Sequence, residues 1–229
     1  MPQHAKHSED LPLPVLYSFR RCPYAIRARM AIAYSEISVE LRDILLNDKP
    51  KDMVSASPKA TVPVLRLPDE QVIDESLDVM LWAVMQNDPE NWMPDSDEMR
   101  TAIMALIEEN DGPFKSSLDH YKYHVRFPER TQKEYRHEGE VFLGKLEKRL
   151  SDHRYLFSNE VSLADMAIFP FIRQFSNTDI EWFENAPYPN LQCWLKEILS
   201  SRRFSQVMKK RPIWAIGTRG ELFPVRDES

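Results

Sequence analysis

The sequence contains little glycine and little cysteine, and it has no long apolar run. Its five glycines all lie beyond residue 111, so neither a glycine-rich phosphate loop nor a dinucleotide-binding fingerprint is present. Its two cysteines, Cys22 and Cys193, are too few for a disulfide framework, and reduced thiols are expected. No stretch approaches the roughly 20 apolar residues that cross a bilayer, and Met1–Asp10 is too polar for a signal peptide. We therefore expect a cytoplasmic protein that does not enter a membrane.

The charge balance also excludes a class of partner. A net charge of -6 argues against a nucleic-acid-binding protein, because phosphate contacts need a basic face. One basic cluster occurs late in the chain, and we interpret it as the solvated side of a helix. Its members are Arg202, Arg203, Lys209, Lys210 and Arg211.

The first third of the chain alternates between strand and helix patterns. Short apolar runs predict strands, and apolar residues at helical spacing predict helices. The predicted strands are residues 15–19, 39–42, 63–67 and 71–73, and the predicted helices are residues 23–34 and 77–84. This order predicts a small α/β sandwich over residues 14–86, preceded by a polar tail at residues 1–13.

The remainder of the chain has a helical pattern. Residues 87–97 are rich in proline, aspartate and asparagine, which predicts a linker. Further along, Ser162 to Asp165 resembles a capping box at the start of a helix, with aspartate in place of glutamate. We predict an all-helical second domain over residues 98–229, in which Trp214 and Phe223 pack part of the tail back on the body.

Cys22 lies where the first predicted strand gives way to the first predicted helix. The backbone N–H groups and the dipole at the start of a helix stabilise an anion, and Arg20 and Arg21 add positive charge nearby. These effects favour a thiolate and make Cys22 a candidate nucleophile. The alternative is a small buried apolar residue, which is the better interpretation of Cys193, beside Trp194 in a predicted helix.

Two further segments could hold a peptide-like ligand. Pro63 heads a strand, where proline removes a ladder donor, and a cis Val62–Pro63 bond would turn the backbone of Val62 toward such a ligand. Asp74, Glu75 and Ser76 precede a predicted helix. There, Glu75 could bind an ammonium group, while Ser76 and the helix N–H groups bind a carboxylate. The alternative for this segment is a plain N-cap.

These segments resemble, in order and separation, the N-terminal thioredoxin-like domain of cytosolic glutathione transferases, especially the omega-type members that use cysteine. The motifs that carry the resemblance are Cys22-Pro23-Tyr24-Ala25, Lys49-Pro50, Val62-Pro63-Val64-Leu65 and Glu75-Ser76. The helical second half, with its capping box, fits as well. The resemblance implies a thioredoxin-like glutathione-binding domain followed by the all-helical C-terminal domain of the family.

The resemblance also implies a role for each matching residue. Glutathione is the implied co-substrate, and no metal is expected. Cys22 would face the glutathione sulfur, Val62 would pair its backbone with the cysteinyl part, and Pro63 would be the cis proline. The other implied glutathione-binding residues are Glu75 and Ser76 at the γ-glutamyl end, Lys49 near the glycine carboxylate, and Tyr24.

The implied activity is thiol transfer or reduction through a mixed disulfide between Cys22 and glutathione. Ala25 stands where two-domain glutaredoxins have a second cysteine, so a second glutathione must release the enzyme. Conjugation of glutathione to electrophiles is the nearest alternative, and a non-catalytic binding protein on the same scaffold is another. A hydroxyl mechanism through Tyr17 or Ser18 is a minor alternative. A homodimer is expected from the family.

The second substrate, a small electrophile or disulfide, would bind beside the first helical hairpin of the second domain. The candidate residues are Phe114, Tyr121 and Tyr123, although aromatic residues in a helical bundle more often form the core. His120 and His124 are four residues apart and could hold a metal. Because no acidic third ligand accompanies them, we favour a solvated helix face.

Overall fold

Internal contacts divide the chain into two units in the computed structural model, which describes residues 12–225. The first unit comprises residues 12–86 together with residues 207–225, and the second comprises residues 87–206. The first boundary lies at the start of the predicted linker. The second differs from the expectation that residues 98–229 form one helical domain.

The first unit combines a mixed sheet with three helices in the residues that the structure describes. Its elements are β1 (Val15–Ser18), α1 (Pro23–Tyr34), β2 (Val39–Asp43), α2 (Lys51–Ala56), β3 (Val64–Arg66), β4 (Val72–Ile73), α3 (Ser76–Gln86) and β5 (Glu221–Phe223). The strand order is β4-β3-β1-β2-β5, and β1 pairs in parallel with β2 and antiparallel with β3. This arrangement is the predicted thioredoxin-like architecture.

The central strand and the first helix are buried. All four residues of β1 are buried, which explains why its sequence is a continuous apolar run. The helix α1 connects the parallel pair β1–β2 and packs against α3. Its side chains are almost all covered, including Arg27 and Arg29, which are only 2% and 1% exposed. Buried guanidinium groups need hydrogen-bond partners, so these two arginines must contribute to the interior.

The C-terminal segment returns to the sheet of the first unit. β5 pairs antiparallel with β2, with Val39 opposite Phe223, and the ring of Phe223 is fully buried. The backbone N–H of Trp214 donates to the carbonyl of Asp43 (2.8 Å), and its indole lies edge-on to Tyr17 at 6.0 Å between centroids. Residues 207–225 therefore belong to the first unit because they supply its edge strand. Packing of Trp214 and Phe223 on the body was predicted, but the added strand was not.

The second unit is built from helices. They are α4 (Asp97–Glu109), α5 (Lys115–Lys122), α6 (Gln132–Asp152), α7 (Leu163–Ser176), α8 (Ile180–Asn185), α9 (Pro189–Ser200) and α10 (Arg202–Met208), the last of which crosses the unit boundary. A π-helical turn at Asn110–Phe114 joins α4 to α5. Across residues 12–225, we find no helix with the length and apolar character needed to span a membrane.

The predicted capping box at the start of α7 is confirmed. Asp165 is completely buried, and its carboxylate accepts hydrogen bonds from the backbone N–H (2.9 Å) and the hydroxyl (2.7 Å) of Ser162. It also accepts from the N–H of Leu156 (3.0 Å) and from the indole N–H of Trp194 (2.9 Å). One carboxylate therefore joins the start of α7, the preceding loop and α9.

The packing prediction for Cys193 is wrong. The buried side of α9 consists of Leu191, Trp194, Leu195 and Ile198, and Cys193 is exposed. Successive helical residues turn by about 100°, which directs residue 193 away from the side occupied by Trp194 and Leu195.

Candidate functional site

Cys22 occupies the N-cap position of α1. Its backbone is extended (φ -70°, ψ 125°), Pro23 begins the helix, and the side chain makes no capping hydrogen bond. The side chain is half-buried, and neither cysteine forms a disulfide. The N–H of Cys22 donates to the carbonyl of Phe19 (3.1 Å) and so closes the loop that leads from β1 into α1. A partly accessible sulfur therefore lies at the amino end of a buried helix.

The backbone before β3 approaches this sulfur. The Cys22 Sγ donates weakly to the carbonyl oxygen of Val62 at 3.8 Å. The Val62–Pro63 peptide bond is cis, as predicted. The structure thus brings together three of the predicted site residues, Cys22, Val62 and Pro63, at one end of the sheet.

The start of α3 carries a cluster of charged side chains. The Ser57 hydroxyl donates to the Asp74 carboxylate (2.6 Å), and the Lys59 ammonium donates to both Asp74 (3.3 Å) and Glu75 (2.6 Å). The hydrogen bond from Ser57, supported by Lys59, lowers the pKa of Asp74. Lys59 was not predicted as part of the site, and its sequence context, Pro58-Lys59-Ala60, carries no pattern that indicates it.

Arg27 connects α1 to the start of α3. Its Nε donates to the Ser76 hydroxyl at 2.9 Å, within the buried interior. The same guanidinium lies over the ring of Tyr24, 5.2 Å from its centroid. Tyr24 and Ser76, two of the predicted binding residues, therefore share one buried arginine that the sequence reasoning left out.

Arg29 holds the loop that precedes Cys22. Its guanidinium donates to the Ser18 hydroxyl and to the carbonyls of Phe19 (3.4 Å) and Arg20 (2.7 Å). Burial lowers the pKa of Arg29 to about 10, and the nearby carboxylate of Asp43 opposes this shift. A signal was available in the sequence: α1 is apolar on all sides, which is typical of a fully buried helix, so its two arginines could not have been solvated.

Neither candidate hydroxyl near β1 is accessible. Tyr17 is 1% exposed, and its hydroxyl accepts from the Arg42 guanidinium (2.8 Å). Ser18 is fully buried and is bound by Arg29. This agrees with the interpretation of Tyr17 as strand core and leaves Cys22 as the partly accessible candidate nucleophile of the loop.

Two of the three residues predicted to line the co-substrate pocket lie in the helical core instead. Phe114 and Tyr121 are 2% and 1% exposed, and both rings pack against Phe175, at centroid distances of 5.7 Å and 4.7 Å. Side chains so enclosed cannot contact a ligand without repacking of the core. Tyr123 is exposed, and the Arg126 guanidinium lies 4.9 Å from its ring centroid.

Lys49 and His120, which the sequence also singled out, form no hydrogen bond, ion pair or ring contact with Cys22, Val62 or the start of α3 in the described part of the chain. Lys49 is exposed beside Pro50, the N-cap of α2, and makes no hydrogen bond or ion pair to any residue in the range 12–225. His120 packs edge-on against Phe127 at 4.3 Å between centroids. In that same range we find no group of three side chains suited to hold a metal ion.

Two family models match the chain. One, described as Glutathione S-transferase, N-terminal domain, matches residues 16–92, and the other, described as Glutathione S-transferase, C-terminal domain, matches residues 142–197. Together they cover more than half of the chain and correspond to the two architectures described above.

Individual relatives share between 15% and 35% of their aligned residues with this chain. Pyrimidodiazepine synthase of Drosophila melanogaster is 23% identical over 206 residues, covering 80% of this chain and 75% of that protein. Glutaredoxin 2 of Escherichia coli K12 is 35% identical over 65 residues, covering 28% of this chain and only 30% of that protein. A glutathione transferase family member from Pseudomonas fluorescens Pf-5, solved with two glutathione bound, superposes with a TM-score of 0.73 at 15% identity, covering 88% of this chain and 95% of that one.

Proposed function

The chain belongs to the glutathione transferase family, and on that premise we propose that it is a glutathione-dependent thiol transferase that uses Cys22 as its nucleophile. The observation that carries the proposal is the position of the Cys22 sulfur, half-buried at the N-cap of α1 and 3.8 Å from the carbonyl of Val62. The helix N-terminus favours the thiolate form there. The match to proteins named Glutaredoxin 2 also supports thiol–disulfide chemistry.

The proposed reaction has two exchange steps. In the first, the Cys22 thiolate attacks the glutathione sulfur of a mixed disulfide R–S–S–G. This step forms enzyme–S–S–G and releases the thiolate R–S⁻, which then takes up a proton. In the second, the thiolate of another glutathione attacks the glutathione sulfur bound to Cys22. This step releases oxidised glutathione and restores the thiolate. Ala25, three residues after Cys22, offers no thiol for an internal second step.

We propose that the start of α3 binds the γ-glutamyl end of glutathione. Arg27 donates to the Ser76 oxygen, so the hydroxyl proton of Ser76 is left to donate to a ligand carboxylate, together with the N–H groups of the first turn of α3. Lys59 contacts the Oε1 atom of Glu75, which leaves Oε2 to accept from the ligand ammonium. The backbone of Val62 would pair with the cysteinyl part and Lys49 would approach the glycine carboxylate.

The test is mass spectrometry of the protein after incubation with oxidised glutathione, both intact and after proteolytic digestion. We expect a glutathione adduct on the peptide that contains Cys22, and a fall in thiol transferase activity on the order of 100-fold or more in Cys22→Ser, because a serine hydroxyl is not ionised at neutral pH. Cys193→Ser is the matched control, since Cys193 is the exposed thiol. An adduct confined to Cys193, or full activity in Cys22→Ser, would refute the mechanism.

The cellular setting is part of the same proposal. A reduced cysteine as nucleophile suits the cytoplasm, where thiols are kept reduced. We also propose that the protein acts as a homodimer, as the resemblance implies, which sedimentation equilibrium would test directly.

A further inference from the structure

A cavity of about 180 Å³ opens within the first unit beside the loop that leads to Cys22. Phe19, Arg20 and Arg21, the three residues before Cys22, form one side, and Lys210 and Arg211 of the C-terminal segment form another. Ligand pockets for whole drug-sized molecules are larger, about 300–1,000 Å³. The cavity therefore suits one functional group of a ligand.

The lining of this cavity is strongly cationic. Four basic side chains face it, and Asp43 is its one acidic residue. In the part of the chain that the structure describes, Arg20, Arg21 and Lys210 form no ion pair with a carboxylate. Arg211 is only 8% exposed and forms an ion pair with Glu221 (3.3 Å); burial lowers its pKa, although Asp43 and Glu221 oppose that shift. The positive charge around the cavity thus exceeds what the protein itself neutralises.

Lys210 and Arg211 are therefore not part of the solvated helix face that the sequence predicts, whereas Arg202 and Arg203 lie in α10 and Arg202 is exposed. α10 ends at Met208, so Lys210 and Arg211 lie beyond it, where the chain turns back toward β2. Trp214 fixes this turn through its hydrogen bond to Asp43.

The cavity lies beside the loop that ends at Cys22. Asp43, Arg211 and Arg20 of the cavity lining and Cys22 all lie close enough to the buried Arg29 to act on its charge. The loop that carries Arg20 is tied to Cys22 by the hydrogen bond from the Cys22 N–H to the Phe19 carbonyl. The three residues that immediately precede Cys22 thus belong to the cavity lining.

We propose that the R group of the substrate R–S–S–G carries a carboxylate, which binds in this cavity between Arg20 and Lys210, close to the positive charge of Arg211. Arginine pairs with carboxylates through two parallel hydrogen bonds, and lysine adds a point charge. The inference rests on the proposed function, because it identifies the R group of the mixed disulfide R–S–S–G.

The experiment compares three glutathione mixed disulfides, formed with mercaptopropionate, mercaptoethanol and cysteamine, which carry a carboxylate, a neutral hydroxyl and an ammonium group. For each protein, the readout is the ratio of kcat/KM for the mercaptopropionate compound to that for the mercaptoethanol compound. The ratio is independent of the fraction of correctly folded enzyme. The test variant is Lys210→Glu, and Lys209→Glu is the matched control, since both lysines are exposed and adjacent but only Lys210 lines the cavity.

We expect the wild-type protein to prefer the carboxylate compound and Lys210→Glu to lower the ratio by about five-fold, as reversal of a partly exposed charge contact predicts. Lys209→Glu should leave the ratio unchanged. The cysteamine compound should respond to Lys210→Glu in the opposite direction, and added salt should reduce the wild-type preference.

The outcomes separate this inference from the function on which it rests. Turnover of all three disulfides without a preference for the carboxylate, or an equal response to the two lysine variants, would overturn the anionic substrate and leave thiol transfer standing. Absence of turnover with every disulfide would overturn both. Arg20→Gln provides a second variant, and it should lower the ratio in the same direction.

Discussion

Two glycines of α6 should respond differently to replacement by alanine. A Cβ atom added to Gly139 would lie 2.4 Å from Cε2 of Phe175, whereas one added to Gly144 would meet no atom within 4 Å. The Phe175 ring is fully buried and packs between Phe114 and Tyr121. It has little space into which it could retreat, so the contact at Gly139 must be relieved by movement of the helix or of the aromatic core.

The magnitudes follow from two opposing effects. Both substitutions gain about 1 kcal/mol of helix propensity. Gly139→Ala also incurs an overpacking cost of about 1–3 kcal/mol. We therefore expect Gly144→Ala to raise the free energy of unfolding by up to about 1 kcal/mol. The free energy of unfolding of Gly139→Ala should be about 1–3 kcal/mol lower than that of Gly144→Ala.

Urea denaturation followed by far-UV circular dichroism would measure both values, with near-UV dichroism as a report on the aromatic core. The two variants lie in one helix and change the same atoms, so each serves as the control for the other. Equal stabilisation by both would show that the Phe175 ring is free to move, and the packing argument would then be wrong.

Two further perturbations test the polar contacts. Asp165→Ala leaves four buried donors without an acceptor and should lower the free energy of unfolding by about 4 kcal/mol, at roughly 1 kcal/mol for each lost partner. Glu134→Ala removes a carboxylate from the exposed capping box of α6 and should lower it by only a small fraction of that amount. Similar decreases in Tm for the two variants would contradict the role of burial. Ser57→Ala removes the hydrogen bond that lowers the pKa of Asp74 below its ordinary 3.8. Because the folded pKa is depressed, the contribution of Ser57 is fully present above about pH 4 and declines as the pH falls through the folded pKa. Urea denaturation of wild type and Ser57→Ala should therefore show a constant difference from pH 7 to pH 5 that narrows below pH 4, and a difference that grows toward acid pH would refute this assignment.

Much of the first unit could be predicted because local patterns determine it. The apolar run of β1 and the proline at the start of α1 are local signals, and both elements form where the sequence predicts them. The capping box at Ser162 is likewise a contact between residues three positions apart. The cis proline came from the family resemblance, since a single X–Pro dipeptide carries little information about its isomer.

The parts that could not be predicted depend on contacts between distant residues. β5 has only three residues, Glu221–Phe223, and forms because the free edge of β2 accepts it. Phe114 and Tyr121 look like pocket residues until the position of Phe175 is known. No local pattern distinguishes an aromatic ring that lines a cleft from one that fills a core.

The arginines of α1 show a different kind of failure. The charge of Arg27 and Arg29 suggests side chains that lie in solvent, yet both are buried. Each is compensated by partners far away in sequence or on the loop before the helix, namely Ser76 for Arg27 and the Phe19 and Arg20 carbonyls for Arg29. Polarity alone does not reveal exposure when the fold supplies acceptors in the interior.

The pairing of β5 with β2 has a consequence for how the chain reaches its native state. The Gly220 N–H donates to the Glu40 carboxylate, a contact that spans 180 positions, and the intervening chain contains the whole helical unit. During synthesis on the ribosome, the β2 edge of the sheet formed by residues 12–86 stays unpaired until the helices α4–α10 have been synthesised. Contacts of such long range slow folding, and an exposed edge is a template for pairing with another chain. We therefore expect the nascent protein to be most prone to aggregate in the interval before β5 emerges.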